Sequence, residues 1–291
     1  MKQADNGQKR SFSQTQTESN NLHNQLSIFS DFLRRRGASR NTIQVYTASV
    51  RLYYSLYREM TSENLRFFKS WLMEHYKPNT VNTRIYAINQ YAAALSLPIN
   101  RLSCIKMHDY MFLENVISNQ DYCRLKDGLH RDGDFRWYFV VRFLAATGVR
   151  VSELLQIKAE HVQIGYFDLY SKGGKMRRVY FPESLRREVL PWLEQTGKKT
   201  GFLFTNHRGE PITARGVHSQ LKALARRYEI PENTVYPHSF RHRFAINFLD
   251  KFNDISLLAD LLGHDSVETT KIYLTKSSEE QKELIDSIVT W

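Results

Sequence analysis

The sequence predicts a mainly α-helical chain with a small antiparallel β-sheet, arranged as an N-terminal helical domain and a larger C-terminal domain. Three observations carry this expectation. From residue 22 onward apolar residues recur every three to four positions over most of the chain, the period of a helix with one buried face. Within residues 162–181 the pattern breaks into short β-rich runs around Ser171-Lys172-Gly173-Gly174-Lys175. The helical period also lapses over residues 98–118, where a connection is expected. At 291 residues the chain is long enough for two separate cores.

Residues 1–21 are rich in Gln, Ser, Asn and Thr with almost nothing to bury, and read as a disordered polar arm. The helical domain is expected over 22–103. Leu22, Leu26, Phe29 and Leu33 share a helix face that Gly37 ends, with Arg34, Arg35 and Arg36 in the last turn, where cations suit the dipole. Ser39 or Asn41 can cap a second helix bearing Ile43, Tyr46, Val50 and Tyr53/Tyr54. Leu65, Phe68 and Leu72 mark a third. After Pro78, Thr80 opens a fourth, with Val81, Ile85, Ile88 and Ala92 inward. A linker is expected over 104–118, including Lys106 and His108.

The second domain is expected over 119–291. Helical spacing resumes at Asn119 and continues through Tyr138, Val141 and Leu144/Ala145. Residues 162–164, 167–170 and 177–181 read as strands, the last two joined as a hairpin by the 171–175 turn. Helices follow at 185–193, from Thr213 through Leu224, and over 240–248, 255–262, 267–274 and 279–289. Leu257, Leu258, Leu261 and Leu262 form one helix face, ended by Gly263. Ser266 is a candidate cap for the short helix that carries Tyr273.

The formal charge of +11 points to a polyanionic partner, nucleic acid before membrane. Residues 22–116 hold 12 Lys and Arg against 6 Asp and Glu, so the smaller domain has the higher positive charge density. Two cysteines, Cys104 and Cys123, are too few for a disulfide framework and suit a reduced, cytoplasmic compartment. No stretch approaches the roughly 20 apolar residues of a membrane span, and the N-terminus lacks the apolar core of a signal peptide.

Six scattered residues suggest one chemistry: Arg150 in ATGVRVSELL, Lys172 in SKGGKMRRV, His238 and Arg241 in HSFRHRF, and His264 and Tyr273 in LLGHDSVETTKIYL. A tyrosine hydroxyl, with a reference pKa of about 10, is a poor nucleophile at neutral pH. A phosphodiester is a poor electrophile, because its anionic oxygens repel attack. Fixed positive charge at the phosphate relieves both problems. Arginine suits this best, since its planar fork bonds two oxygens and never deprotonates. Arg150 can also pair with Glu153, three residues on. His238 and Arg241, three apart, share a helix face; His242 and Arg243 beside them read as solvent or backbone contacts. No convergent acidic cluster, phosphate-binding G-x-x-x-x-G-K-[ST] loop or zinc spacing occurs, so neither a metal nor another cofactor is expected.

This order and spacing resembles the tyrosine recombinase (phage integrase) family, of the simple Xer/integrase-like type, over nearly the whole chain after about residue 22. GASRNTIQVY and KPNTVNTRIYAI are similar to the family's core-binding domain, a helical bundle that clamps DNA, which makes Arg40, Asn41, Thr42, Lys77, Asn79, Thr80 and Arg84 candidate DNA contacts. The resemblance implies that Tyr273 is the nucleophile and that Arg150 and Arg241 hold the phosphate, with Glu153 orienting the pocket. It makes His264 a phosphate donor, while His238 either hydrogen-bonds the phosphate or accepts the tyrosine proton. Lys172 is implied as the general acid, with Lys175 as its competitor on the same loop. Lys175, Arg177 and Arg178 are candidate contacts to backbone phosphates.

The implied activity is site-specific DNA recombination through a 3′-phosphotyrosine and a Holliday junction, for integration, excision, inversion or resolution, without ATP, metal or cofactor. The implied partners are duplex DNA with inverted-repeat core sites, three further copies of the chain in a tetramer, and accessory DNA-bending proteins. A type IB topoisomerase, a telomere resolvase and an inactive DNA-binding accessory protein are the alternatives. Beyond Tyr273, the polar stretch 275–280 leads to Leu284, Ile285, Ile288 and Val289 and ends at Trp291. By resemblance this segment docks on a neighbouring protomer; the alternative is docking in cis.

Overall fold

The computed structural model describes residues 21–106, 115–170, 176–264, 266–274 and 286. The chain divides into two units, Met1–Asp109 and Tyr110–Trp291. The expected arm up to residue 20, the 171–175 turn and the 279–289 helix lie outside the described residues, Asp286 excepted.

In the first unit, small polar residues set where the helices start. Asn21 already belongs to α1 (residues 21–35). This helix closes with Gly37 at φ +71°, as the amides of Gly37 and Ala38 donate to the carbonyls of Arg34 and Leu33. Ser39, rather than Asn41, caps α2 (Arg40–Leu56), its hydroxyl accepting from the Thr42 amide. Thr61 does the same for α3 (Ser62–His75). α4 (Pro78–Ala94) begins two residues before the expected Thr80, because proline's fixed φ and missing N–H suit the first helical position. The core is Leu26, Phe29, Leu33, Val50, Tyr53, Leu65, Phe68, Leu72, Val81, Ile85, Ile88 and Tyr91, with Tyr53 edge-on to Phe68 at 5.1 Å.

The expected linker is anchored at both of its described ends. Asn89 accepts from the Leu102 amide and donates to its carbonyl, both at 2.9 Å. Two helical turns earlier Asn82 does the same for Ile105, at 2.8 and 3.1 Å. Leu102, Cys104 and Ile105 pack on the first core. At the far end Ile117 is fully buried in the second unit, its amide donating to Ser239 Oγ and its carbonyl accepting from Arg243 Nε, both at 2.7 Å. Two asparagines and a serine replace the ladder partners that these irregular backbones lack.

The second unit is built around α6 (Phe135–Thr147), which buries Trp137, Tyr138, Phe139, Val140, Val141, Phe143 and Leu144 around its whole girth. α5 (Asn119–Arg131), capped by Ser118, packs against it. The chain continues through α7 (Val151–Leu154) and α8 (Ala159–Ile164). Residues 162–164, expected as a strand, are therefore the end of a helix. Val162 and Ile164 are β-branched, but Gly165 at φ +88° caps the helix and His161 Nδ1 takes the Lys158 amide at its start. β1 (Tyr166–Tyr170) and β2 (Met176–Tyr180) form the antiparallel pair, with Asp168 opposite Arg178.

α9 (Glu183–Gln195), α10 (Ala214–Arg227), α11 (Pro237–Phe252), α12 (Ile255–Leu262) and α13 (Glu268–Lys271) complete the unit. α13 is shorter than the expected 267–274 helix, and Tyr273 sits in the turn after it, its amide bonded to the Thr270 carbonyl at 3.0 Å. Ser266 Oγ accepts from the Glu268 amide. On α12, Leu258 and Leu262 face inward while Leu257 is exposed, so the four leucines do not share one buried face. Among the described residues no helix is long and apolar enough to cross a membrane.

Candidate active site

Helix ends position the site. α6 ends at Gly148 and α12 at Gly263, at φ +62° and +63°. Both positions are closed to a side chain for a second reason. A Cβ at Gly148 would meet Phe244 Cδ1 at 2.7 Å, and one at Gly263 would strike the Arg177 guanidinium. Each end leaves carbonyls without an intrahelical donor, at the negative pole of the helix.

Those carbonyls gather guanidiniums. Arg241, 2 % exposed, donates from Nη1 to the Gly148 carbonyl at 2.8 Å and from Nη2 to the Leu262 carbonyl at 2.7 Å. Arg177 Nη1 donates to the same Leu262 carbonyl, and Arg150 Nη2 reaches the Gly263 carbonyl at 3.3 Å. Burial and then the neighbouring Arg150 push Arg241 down to about 10, which leaves it cationic at neutral pH.

Glu153 holds two of these cations apart. Its Oε1 accepts from Arg150 Nη1 at 2.9 Å, and its Oε2 from the Arg150 amide at 2.8 Å and from Arg177 Nη2 at 2.6 Å. Burial would raise this carboxyl, but Arg177, the Arg150 amide and the Arg150 guanidinium together hold it below the usual range.

α11 brings the histidines. His238, Arg241 and His242 stand at i, i+3 and i+4 on one helix, so they share a face. His242, read from the sequence as a solvent or backbone contact, instead places Nδ1 3.1 Å from the Tyr273 hydroxyl. The i+4 spacing from His238 was the sequence signal for it. Burial, His238 and Arg241 push His242 down to about 4. Partial desolvation and then Arg241 and Arg150 lower His238 as well.

Tyr273 is 9 % exposed among Ala245, Leu249, Leu258 and Leu262. Burial raises its phenol, against the pull of Arg241 and Arg150. His264 lies nearly parallel to its ring at 6.3 Å, with Nδ1 2.7 Å from Thr270 Oγ1. Arg150, Arg241, His238, His264, Tyr273 and Glu153 are thus brought together. Lys172 and Lys175 lie outside the described residues. The strand ends that bracket them, Tyr170 and Met176, line a groove of about 600 Å³ that also touches Arg150, Arg177 and His264.

Arg177, a candidate phosphate contact, has its guanidinium turned into the cluster and only 13 % of its side chain exposed. Arg178 is paired with Asp168 at 2.7 Å and stacked over Tyr166 at 3.8 Å. In the first unit Arg40, Asn41 and Thr42 form the first turn of α2, and Lys77, Asn79 and Thr80 stand at the start of α4. Arg40, Asn41, Lys77 and Asn79 are exposed. Arg84 is held over the Tyr76 ring at 4.4 Å. Among the described residues no group of three or more His, Cys, Asp or Glu could hold a metal ion.

Residues 115–280 match the model of the phage integrase family. This chain belongs to that family. It is 28% identical to tyrosine recombinase XerA of Pyrococcus furiosus over 90% of this chain and 92% of that one. It is 29% identical to tyrosine recombinase XerD of Listeria innocua, over 90% and 80%. In fold, this integrase-family chain is similar to XerH site-specific recombinase bound to its difH substrate, with a TM-score of 0.66 and 21% identity over 90% of this chain and 84% of the other.

Proposed function

We propose that the protein is a site-specific DNA recombinase in which Tyr273 attacks a scissile phosphodiester. The observation that carries this reading is the set of guanidiniums of Arg150 and Arg241, with three histidines, gathered around a buried tyrosine hydroxyl. The attack makes a 3′-phosphotyrosine and releases a 5′-hydroxyl. A 5′-hydroxyl of a second duplex then displaces the tyrosine, so the bond energy is kept in the ester. Arg150 and Arg241 supply the charge stabilisation that a metal gives elsewhere. Arg40, Asn41, Thr42, Lys77, Asn79 and Thr80 would grip the duplex through the helix starts of the first unit, and Arg84 from the second turn of α4. Two strand exchanges through a Holliday junction on inverted-repeat sites require four protomers, in the cytoplasm where DNA is available. Integration, excision, inversion and resolution are all open to such an enzyme, and the positions of the cleaved sites would distinguish them.

The test is to incubate the protein in excess EDTA with nicked fragments of genomic DNA, trapping covalent adducts, and in parallel with a supercoiled plasmid library of the same DNA. Adducts joined through Tyr273, clustered at one inverted repeat, support the proposal. Adducts that need magnesium, or relaxation of supercoils without any joined second duplex, overturn it in favour of a metal nuclease or a topoisomerase.

Lys172 is proposed as the acid that protonates the leaving 5′-oxygen. Lys172→Ala should lower cleavage of ordinary DNA by about 100-fold or more, the usual scale of general acid catalysis. It should leave cleavage of a 5′-bridging phosphorothiolate near wild type, since a thiolate departs unprotonated. Rescue of Lys175→Ala in its place would reassign the acid.

The segment after Tyr273 is proposed to dock on a neighbouring protomer. Leu284, Ile285, Ile288 and Val289 suit a short helix, and so short a helix needs a surface to cover its apolar side. Truncation after Lys276 should leave binding to a single site unchanged and weaken cooperative assembly on paired sites. Equal loss of both in a gel-shift titration would indicate packing in cis.

A further inference from the structure

Attack by Tyr273 frees a phenolic proton, and the recombinase reading, on which this inference rests, leaves its acceptor open. We infer that His242 takes that proton as the Tyr273 oxygen bonds to phosphorus, and returns it when the phosphotyrosine is broken. His242 Nδ1 is 3.1 Å from the hydroxyl, within the reach that proton transfer needs. With its own proton on Nε2, the neutral ring presents the Nδ1 lone pair to the phenol.

The other groups facing Tyr273 are poorly suited. Arg150 and Arg241 are cations with no lone pair to offer. His264 lies parallel to the phenol at 6.3 Å, and its Nδ1 is occupied by Thr270 Oγ1 at 2.7 Å. His238 makes no hydrogen bond to Tyr273; its ring is 6.3 Å from that of His242 and it is exposed. His238 is thereby left to the phosphate.

The surroundings keep His242 ready to accept. Burial, His238 and Arg241 hold it neutral at physiological pH. An arriving phosphodiester adds a negative charge beside Arg241 and Arg150, which offsets the repulsion that imidazolium would meet. In the step itself the Oη–H and P–O5′ bonds break and the Oη–P bond forms. The phenolic proton goes to Nδ1, and the leaving 5′-oxygen is protonated separately, by Lys172 in the proposed mechanism. Religation reverses each change, with the imidazolium reprotonating the tyrosine oxygen.

The test compares His242→Ala and His242→Asn with wild type on nicked DNA carrying either an ordinary or a 5′-bridging phosphorothiolate linkage. Asparagine can keep a hydrogen-bond acceptor near the position of Nδ1 but cannot take the proton. Both variants should form the adduct about 100-fold more slowly or worse on both substrates, and added imidazole should restore part of the rate to His242→Ala. Duplex affinity should be unchanged. Wild-type rates in His242→Asn would reduce His242 to positioning the phenol, and wild-type rates in His242→Ala would remove it from the reaction. Rescue of either variant by the phosphorothiolate would move its role to the leaving group. Each of these outcomes overturns the inference while wild-type adduct formation still supports the recombinase; absence of adduct from the wild type would overturn the recombinase reading instead.

Discussion

Replacing Tyr273 with Phe should abolish the covalent protein–DNA adduct and leave duplex affinity nearly intact, because on the proposed mechanism affinity rests on phosphate contacts spread over many residues. The substitution removes a single oxygen. The ring keeps its packing with Leu258 and Leu262. The hydrogen bond lost to His242 is worth roughly 1 kcal/mol, small beside a domain stability of about 5–15 kcal/mol. Folding should therefore survive and the proposed chemistry should not. Denaturing gels of trapped complexes, run beside gel shifts of the same samples, check both halves of the expectation. An adduct that persists in the variant identifies a different nucleophile.

Glu153→Ala should cost roughly 3 kcal/mol of stability, toward the lower end for breaking a buried ion pair because Arg150 is partly exposed. Glu153 and Arg177 have 13 % side-chain exposure each, so the Arg177 guanidinium would be left in a poorly hydrated place without its carboxylate. The folded carboxyl lies below its unfolded value of 4.5. Its stabilisation is therefore complete above that value and is lost as the pH falls through the lower folded value. Urea unfolding of both proteins should show the full difference at pH 7 and a shrinking one in acid. A difference that does not change with pH would mean that lost packing, and not lost charge, is responsible. Adduct formation should fall as well, since Arg150 loses both of its tethers to the Glu153 carboxylate.

The helices were legible in the sequence because each carries its own start, stop and apolar period. Ser39, Thr61, Ser118 and Thr213 each accept from an amide in the first turn, and Gly37, Gly148 and Gly263 sit where a positive φ ends a helix. The reading failed where local preference and tertiary context disagree. Val162 and Ile164 favour strands, yet their segment is helical because its two ends are capped. At the described ends of the expected linker, the side chains of Asn82, Asn89 and Ser239 hold the backbone from far along the chain, which no local pattern shows. Within the site, the residues that the resemblance singles out, Arg150, His238, Arg241, His264 and Tyr273, lie together. Arg177 reads from the sequence as a backbone-phosphate contact, and the partner that turns it inward, Glu153, lies 24 residues away, beyond the range of any local pattern. His242 reads as a solvent or backbone contact because its partner Tyr273 lies 31 residues further along the chain, where no local spacing reaches.

The anchoring of Arg241 to the carbonyls of Gly148 and Leu262 changes how mutant kinetics should be interpreted. That guanidinium does two jobs at once, closing two helix ends and presenting charge. Deleting it strands the Gly148 carbonyl, leaves the Leu262 carbonyl to Arg177 alone, and loosens the junction from which the chain runs on to Tyr273. On the proposed mechanism, a rate deficit in Arg241→Ala would combine lost electrostatics with a displaced Tyr273, and it should not add to the deficit of a change at Tyr273 or His242. Arg241→Lys is no cleaner a probe. A single ammonium cannot span both carbonyls in the fixed geometry of the fork.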